Sequence, residues 1–197
     1  GKDQLFYPSP YIGDMGDVRT VKALKESVKR MEELLEVKPE IVACDMHPSY
    51  NTRAAAEEMG LPVFPVQHHY AHILSCMAEN EWTTKKKVIG VSFDGTGYGT
   101  DGTIWGGEIL LADYDSFKRW GCIEPFAQTG GDASAKEGWR IAVSLLGKIY
   151  GKEIALSIIE TLGLCESKLA KLQFTMEERG INTVKSTSAG RLFDAVR

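Results

Sequence analysis

The chain has 197 residues, of which 43% are hydrophobic, and its 23 lysines and arginines against 27 aspartates and glutamates give a formal net charge of −4. This composition predicts a compact globular protein and excludes a fibrous or disordered chain. The acidic balance argues against a nucleic-acid binder, and the lack of an apolar run of about 20 residues argues against a membrane span. The four dispersed cysteines favour free thiols and a cytoplasmic location.

The first part of the chain alternates predicted helices and strands. Apolar residues at three- and four-residue steps predict a helix from Asp17 to Lys38, with Asp17 as its N-cap. A strand at 41–44 follows, and then a helix that begins after Asn51 and ends at Gly60. The strand at 61–66 contains two prolines, which place it at a sheet edge, and it leads into a helix at 67–80. This alternation favours an α/β fold.

The second part begins with strands and continues with helices. A strand at 88–93, a glycine-rich turn and strands at 103–112 and 117–123 predict an antiparallel meander. Beyond Gly131 the pattern is helical, at 133–146, at 153–162 and again from a start near Ser188. The change of pattern near Lys85 predicts two subdomains, residues 1–85 and 86–197.

Three of the four histidines lie within five residues of the predicted third helix. His68 and His72 are four residues apart and therefore share one helix face, a spacing that lets two imidazoles bind one metal ion. His69 lies on another face, where we expect it to support the ligands or contact substrate. A zinc protease would need glutamate at position 69. The alternative to a metal site is an ordinary polar helix end.

A glycine-rich segment, Phe93 to Gly102, connects two of the predicted strands. Its glycines allow backbone amides to turn toward a phosphate, and Asp94 and Asp101 are placed to hold a cation beside it. The alternative is an ordinary long hairpin turn. The segment matches neither the P-loop nor the dinucleotide-binding glycine pattern.

A second candidate anion site follows Gly130 and Gly131, where the chain enters a predicted helix that carries Arg140. The start of a helix favours an anion, and the planar guanidinium is suited to binding phosphate or carboxylate. The alternative is a solvated helix face.

Six segments, taken in order, resemble successive motifs of the HypF family of hydrogenase-maturation carbamoyltransferases. They are Ser9 to Asp14, Cys44 to Tyr50, Val66 to His72, Phe93 to Glu108, Gly130 to Arg140 and Ser188 to Asp194. The likeness covers nearly the whole chain and is especially close from Asp94 to Glu108. The sequence departs from the family pattern at Gly138, where proline is expected after Glu137, and this leaves the role of Glu137 open.

The resemblance implies an actin- and sugar-kinase-like ATPase fold with two subdomains, both incomplete in this chain. It implies a divalent metal, Fe or Zn, on His68 and His72, and Mg with ATP or carbamoyl-adenylate at the hairpin. The implied catalytic residues are Asp94, His69 and Arg140. The implied nucleotide-binding residues are Gly95, Thr96, Gly97, Gly99, Gly102, Gly190 and Asp194.

In this family, carbamoyl phosphate and ATP give carbamoyl-adenylate, and the carbamoyl group passes to the C-terminal cysteine of the partner HypE. The resemblance implies the same reaction here, without nucleic acid or membrane, although the chain alone is expected to be inactive. Two alternatives stay open. One is an O-carbamoyltransferase of the antibiotic or nodulation-factor type, and the other is a non-catalytic nucleotide-binding module. The related tRNA-modifying enzymes are disfavoured because their second hairpin is shorter.

Overall fold

The computed structural model describes residues 1–3 and 5–196. The chain divides into two compact units, Gly1–Gln67 and His68–Arg197. The predicted division into two subdomains, residues 1–85 and 86–197, stays a prediction. Within the described residues, no helix combines the length and the apolar character that crossing a bilayer requires.

The first unit consists of two helices and a parallel pair of strands. Its elements are α1 (Val18–Leu35), β1 (Val42–Asp45), α2 (Asn51–Glu57) and β2 (Val63–Val66). The Asp17 carboxylate caps α1 by accepting a hydrogen bond from the Arg19 N–H at 2.8 Å, as predicted. Strands β1 and β2 form a two-stranded sheet, so Pro65 lies in an edge strand, as predicted, and Pro62 directly precedes that strand.

The second unit is built on a five-stranded sheet. Its elements are α3 (His68–Glu79), β3 (Val88–Tyr98), β4 (Ile104–Ala112), β5 (Phe117–Cys122), β6 (Phe126–Thr129), α4 (Trp139–Tyr150), α5 (Lys152–Leu162), α6 (Ser167–Arg179), β7 (Thr183–Ser186) and α7 (Ala189–Ala195). The strand order is β3-β4-β7-β6, and β5 pairs with β4. Strands β3, β4 and β5 form the predicted antiparallel meander. The mixed α/β class is confirmed.

The predicted helix at 133–146 is wrong in its first half. A short 3₁₀ helix spans Gly131–Ala135, and α4 begins only at Trp139. Gly130 and Gly131 both have positive φ values, 109° and 56°, so the chain makes a tight turn where the 3₁₀ helix begins. Helix α6 and the four-residue strands β6 and β7 were not predicted from the sequence.

A hydrophobic core in the second unit holds its helices together. Val143 of α4, Ala155 and Ile159 of α5, and Ala170 and Phe174 of α6 form one buried cluster. These small and branched side chains recur on single helix faces, so each helix buries one stripe. On the sheet, Trp105 and Leu110 of β4 are also buried.

Candidate metal centre

Two histidines of α3 and one aspartate of β3 converge in the second unit. His68 Nε2 lies 2.7 Å from Asp94 Oδ2, and His72 Nε2 lies 3.2 Å from His68 Nε2. One ligand atom from each of the three residues lies within 4.8 Å of the others. His68 and Asp94 are half-buried, whereas His72 is exposed. The predicted pairing of His68 with His72 is therefore present, and Asp94 is a third potential ligand.

The packing of α3 against the sheet explains why these side chains meet. Tyr70, Ile73 and Met77 are buried on the helix face that packs against the sheet. Ile73 approaches β3 at Gly90, where an added Cβ would lie only 2.2 Å from the Ile73 Cδ1. This close contact fixes α3 alongside β3 and leaves His68 and His72 on the face that meets Asp94.

The surroundings of Asp94 keep its carboxyl group ionised. Burial by itself raises the pKa of Asp94, but hydrogen bonds from the Gly95 N–H and from His68, together with the His68 charge, lower it further than burial raises it. The Gly95 N–H donates to Asp94 Oδ1 at 2.6 Å. The other oxygen, Oδ2, faces both histidines. Asp94 is thus a carboxylate anchored through one oxygen, with the other available to a cation.

His69 is fully buried and has a different electrostatic character from its neighbours. Burial, with a smaller contribution from the nearby His68, lowers the pKa of His69 to about 4. Its ring packs against Gly97, where an added Cβ would lie 2.4 Å from the His69 Cε1. His69 is therefore a neutral imidazole at pH 7, held between α3 and β3. Its catalytic assignment stays a prediction.

The donor set of this centre suits a transition metal. Imidazole nitrogens bind Zn and Fe(II), and two histidines with one carboxylate form a recurrent set for both metals. Three donors within 4.8 Å of one another are compatible with binding to a single ion that keeps open positions. His68, His72 and Asp94 are therefore a donor set that fits the predicted metal. The sequence pattern predicted only the two histidines as its ligands and placed Asp94 beside a different cation.

Asp101, which the sequence predicts to hold a cation together with Asp94, has hydrogen-bond partners of its own in the structure. Its Oδ1 accepts hydrogen bonds from Thr103 Oγ1 at 2.6 Å and from Trp105 Nε1 at 3.0 Å. Its Oδ2 accepts one from Arg119 Nη1 at 3.2 Å. Asp101 therefore stabilises the hairpin, and a cation shared with Asp94 stays a prediction.

Part of the backbone of the glycine-rich hairpin is hydrogen-bonded within its own turn. The Gly99 N–H donates to the Thr103 carbonyl at 2.9 Å, and the Gly102 N–H donates to the Gly99 carbonyl at 3.0 Å. Gly102 has a φ of 75°, which favours glycine. The Thr96 hydroxyl donates to the Gly95 carbonyl at 2.5 Å. Nucleotide binding by this segment stays a prediction, but the amides of Gly99 and Gly102 already have partners.

The first turn of α7 contacts the hairpin next to Asp94. Ser188 Oγ donates to the Gly95 carbonyl at 2.7 Å and accepts the Arg191 N–H at 3.0 Å, so it both caps α7 and joins it to β3. A Cβ added at Gly190 would lie 2.8 Å from the Gly95 Cα. Gly190 thus lies against the predicted phosphate hairpin.

Two other predicted site residues are engaged in local ion pairs. Asp194 Oδ2 pairs with Arg191 Nη1 at 2.6 Å. Arg140 Nε donates to Glu137 Oε2 at 2.7 Å, and its guanidinium lies 4.5 Å from the centre of the Trp139 ring. This contact gives Glu137 a positioning role toward Arg140. The assignments of Arg140 to catalysis and of Asp194 to nucleotide binding stay predictions.

A buried ion pair in the meander was missed in the sequence. Glu108 on β4 is fully buried, and its Oε2 accepts a hydrogen bond from Arg119 Nε at 2.6 Å. Its Oε1 accepts from the N–H groups of Gly106 and Gly107. The Arg119 guanidinium also lies 4.1 Å from the centre of the Trp105 ring. A glutamate within an otherwise apolar strand was the available signal for this pair.

Comparison with known families matches both parts of the chain. A model described as "HypF Kae1-like domain" matches residues 1–79, and one described as "Carbamoyltransferase, Kae1-like Domain, second subdomain" matches residues 90–197. The chain is 38% identical over 98% of its length to carbamoyltransferase HypF2 of Cupriavidus necator. It is 36% identical over 99% of its length to a probable carbamoyltransferase HypF of Methanocaldococcus jannaschii.

Solved structures give the same result for the fold. A full-length HypF described as phosphate- and nucleotide-bound matches 94% of the chain with a TM-score of 0.84 and 37% identity. HypF of T. kodakarensis matches 96% with a TM-score of 0.83 and 35% identity. The chain spans 24% and 26% of those two structures, and 23% and 26% of the two curated relatives. The predicted actin- and sugar-kinase-like fold is confirmed.

Proposed function

Since this chain belongs to the HypF family of carbamoyltransferases, we propose that it forms part of the site at which a carbamoyl group passes from carbamoyl-adenylate to the C-terminal cysteine of HypE. In this transfer the thiolate sulfur bonds to the carbonyl carbon. The bond between that carbon and the phosphate oxygen breaks, and AMP leaves with the electron pair. The cluster of His68, His72 and Asp94 is the observation that carries the proposal.

The three side chains of the cluster hold the metal and fix its position. A bound Zn or Fe ion would polarise a carbonyl or phosphate oxygen as a Lewis acid. Asp94 supplies a negative charge that its hydrogen bonds keep ionised. His69, neutral and buried behind Gly97, fills the space between α3 and β3 and so holds its neighbour His68 in place.

The nucleotide half of the substrate is assigned to the hairpin and to the first turn of α7. Gly95 and Gly190 lie against each other beside Asp94, so a phosphate bound at this junction would be next to the metal cluster. The exposed Thr96 hydroxyl remains a candidate for phosphate contact. That a related HypF structure is described as phosphate- and nucleotide-bound supports this assignment. ATP and carbamoyl phosphate are the substrates that this assignment requires, and Mg is the cofactor that accompanies ATP.

The family matches favour a thiol acceptor over the sugar hydroxyl of an O-carbamoyltransferase, because the relatives carry the HypF name. All four cysteines of the chain are free, as a reducing compartment requires, and we place the reaction in the cytoplasm. A non-catalytic nucleotide-binding module would not need the donor set on α3 and β3.

Intact mass spectrometry of HypE tests the proposed transfer. The full-length protein that carries this chain is incubated with ATP, carbamoyl phosphate and HypE. One carbamoyl group, or its dehydrated product, is expected on the terminal cysteine of HypE. His68→Ala with His72→Ala should abolish the product, whereas His47→Ala, which changes the one histidine outside α3, should preserve it. Modification of a sugar hydroxyl instead, or transfer that survives the double substitution, would refute the proposal.

A further inference from the structure

Most of β3 pairs regularly with β4, but the segment that carries Asp94 does not. Phe93 pairs with Gly107, and the next registered pair is Gly97 with Trp105. More residues of β3 than of β4 lie between these two pairs, so the segment around Asp94 is a bulge. Bulges of this kind redirect side chains next to functional sites. The ladder with β4 therefore does not by itself set the direction of the Asp94 carboxylate.

One oxygen of the Asp94 carboxylate is held by the peptide group that follows it. The Gly95 N–H donates to Asp94 Oδ1 at 2.6 Å, while Oδ2 lies 2.7 Å from His68 Nε2. The carbonyl group of Asp94 belongs to the same peptide group as this N–H. A rotation of the peptide group would therefore turn the carboxylate away from the histidine. Asp94 can act as a metal ligand in this geometry only if the bulge is fixed by other contacts.

Ser188 supplies such a contact from the start of α7. Its hydroxyl oxygen lies 2.7 Å from the Gly95 carbonyl oxygen and 3.2 Å from the Asp94 carbonyl oxygen. Because the same oxygen accepts the Arg191 N–H at 3.0 Å, its single proton is directed toward these two carbonyls. Ser188 is fully buried, which shields the contact from bulk water.

Ser188 is itself anchored to strands β4 and β7. The Thr187 N–H donates to the Ile104 carbonyl at 2.9 Å, and the Thr187 hydroxyl donates to the buried Glu108 carboxylate. The Ser188 N–H donates to Ser186 Oγ at 3.2 Å. The Ser188 hydroxyl therefore has a fixed position, from which it can hold the bulge of β3.

Gly106 of β4 allows the bulge and Ser188 to come this close. A Cβ added at Gly106 would lie 2.6 Å from the Asp94 carbonyl oxygen and 2.8 Å from the Ser188 Cα. Any larger residue at this position would have to displace one of these two backbones. The three segments thus form one tightly packed unit behind the Asp94 carboxylate.

We infer that Ser188 is a positioning residue for Asp94, acting through the peptide groups on either side of Gly95 and not as a metal ligand. The inference rests on the proposed function, in which Asp94 binds the metal together with His68 and His72. Replacing a residue that orients a metal ligand typically weakens metal binding by roughly 10- to 100-fold. Loss of the Ser188 hydroxyl should therefore weaken Zn²⁺ binding by roughly tenfold or more.

Ser188→Gly tests the inference, because Ser188 is the N-cap of α7 and glycine also serves as an N-cap but has no hydroxyl. Equilibrium dialysis of the purified chain against Zn²⁺ should show the expected loss of affinity. Ser188→Ala is a second variant with the same expected result. Ser134→Ala removes another fully buried serine hydroxyl that donates to a backbone carbonyl, and it should retain the parental affinity. Urea unfolding checks that each variant is folded.

A double-mutant cycle with Asp94→Ala separates positioning from a general loosening of the structure. Since Ser188 acts through the Asp94 carboxylate, Ser188→Gly should change Zn²⁺ affinity by about twofold or less when that carboxylate is absent. An equal loss of affinity in both backgrounds would overturn the inference. Parental affinity in Ser188→Gly would also overturn it and leave the proposed function standing, whereas a parent chain that binds no Zn²⁺ would refute both.

Discussion

Neighbouring side chains of the candidate metal centre differ in charge because their surroundings differ: one is ionised and the other neutral. Asp94 accepts hydrogen bonds that outweigh the effect of its burial, so its pKa is lowered and it stays ionised. His69, fully buried next to His68, has its pKa lowered to about 4 and stays neutral. Asp94 thus carries a negative charge that a metal ion could bind, whereas His69 fills buried space without charge. The sequence showed both residue types, but not which of them would be desolvated.

The lowered pKa of His69 predicts that the metal-free protein loses stability as the pH falls. The unfolded chain takes up a proton on His69 below about pH 6.5, whereas the folded chain does so only near pH 4. Between these values the unfolded state binds more protons, so the free energy of unfolding decreases as the pH falls. The contribution of His69 should decrease by about 2 kcal/mol from pH 7 to pH 5. Urea unfolding at several pH values measures it.

The control for this prediction is His69→Gln, which retains polar atoms but does not titrate in this range. The variant should be less stable than the parent at pH 7, and the difference should shrink toward pH 5. Parallel pH profiles of the parent and the variant would show that His69 does not titrate as proposed.

At the scale of elements, the β4–β5 pair depends on a buried charge that one arginine compensates. Glu108 has no solvent exposure, and Arg119 reaches it from the adjacent strand while also bonding to Asp101 at the hairpin tip. The same arginine therefore joins the centre of the meander to the turn that precedes β4. Loss of Arg119 would leave buried Glu108 without its ion-pair partner.

Replacing Arg119 with methionine should lower the free energy of unfolding by roughly 3 to 5 kcal/mol, because buried Glu108 loses its ion-pair partner. Urea unfolding of the chain measures the loss. Adding Glu108→Gln should recover part of it, since the uncompensated charge is then removed. Lys118→Met, at an exposed position of the same strand, is the matched control and should change stability by less than about 0.5 kcal/mol. A similar small effect for Arg119→Met would contradict this account of the meander.

Most elements were predictable where the signal was local. Asp17 capped α1 as expected, and the histidine spacing on α3 and the meander of β3 to β5 were confirmed. Strand β7 was not predicted because it has only four residues and forms by pairing with β6, which lies far away in sequence. The proximity of Asp94 to the two histidines was not predicted for the same kind of reason. Asp94 lies 26 residues from His68, and only the packing of α3 on β3 brings them together.

At the scale of the whole molecule, each of the two compact units has its own pattern of elements, and the metal centre lies within one of them. His68, His72 and Asp94 all belong to the unit His68–Arg197. No residue of Gly1–Gln67 is required to complete this donor set. The chain spans about a quarter of the length of several of its relatives. Metal binding is therefore the part of the proposed function that can be tested on the chain itself.

Metal binding by the purified chain is therefore the most direct test of the account. Equilibrium dialysis against Zn²⁺, followed by elemental analysis, should find one tightly bound ion per chain. His68→Ala with His72→Ala should remove it, and Asp94→Asn should weaken its binding. His47→Ala should retain it, because that histidine lies outside the cluster. Binding that survives the double substitution, or that is lost equally in His47→Ala, would contradict the central claim that α3 and β3 together form the metal centre.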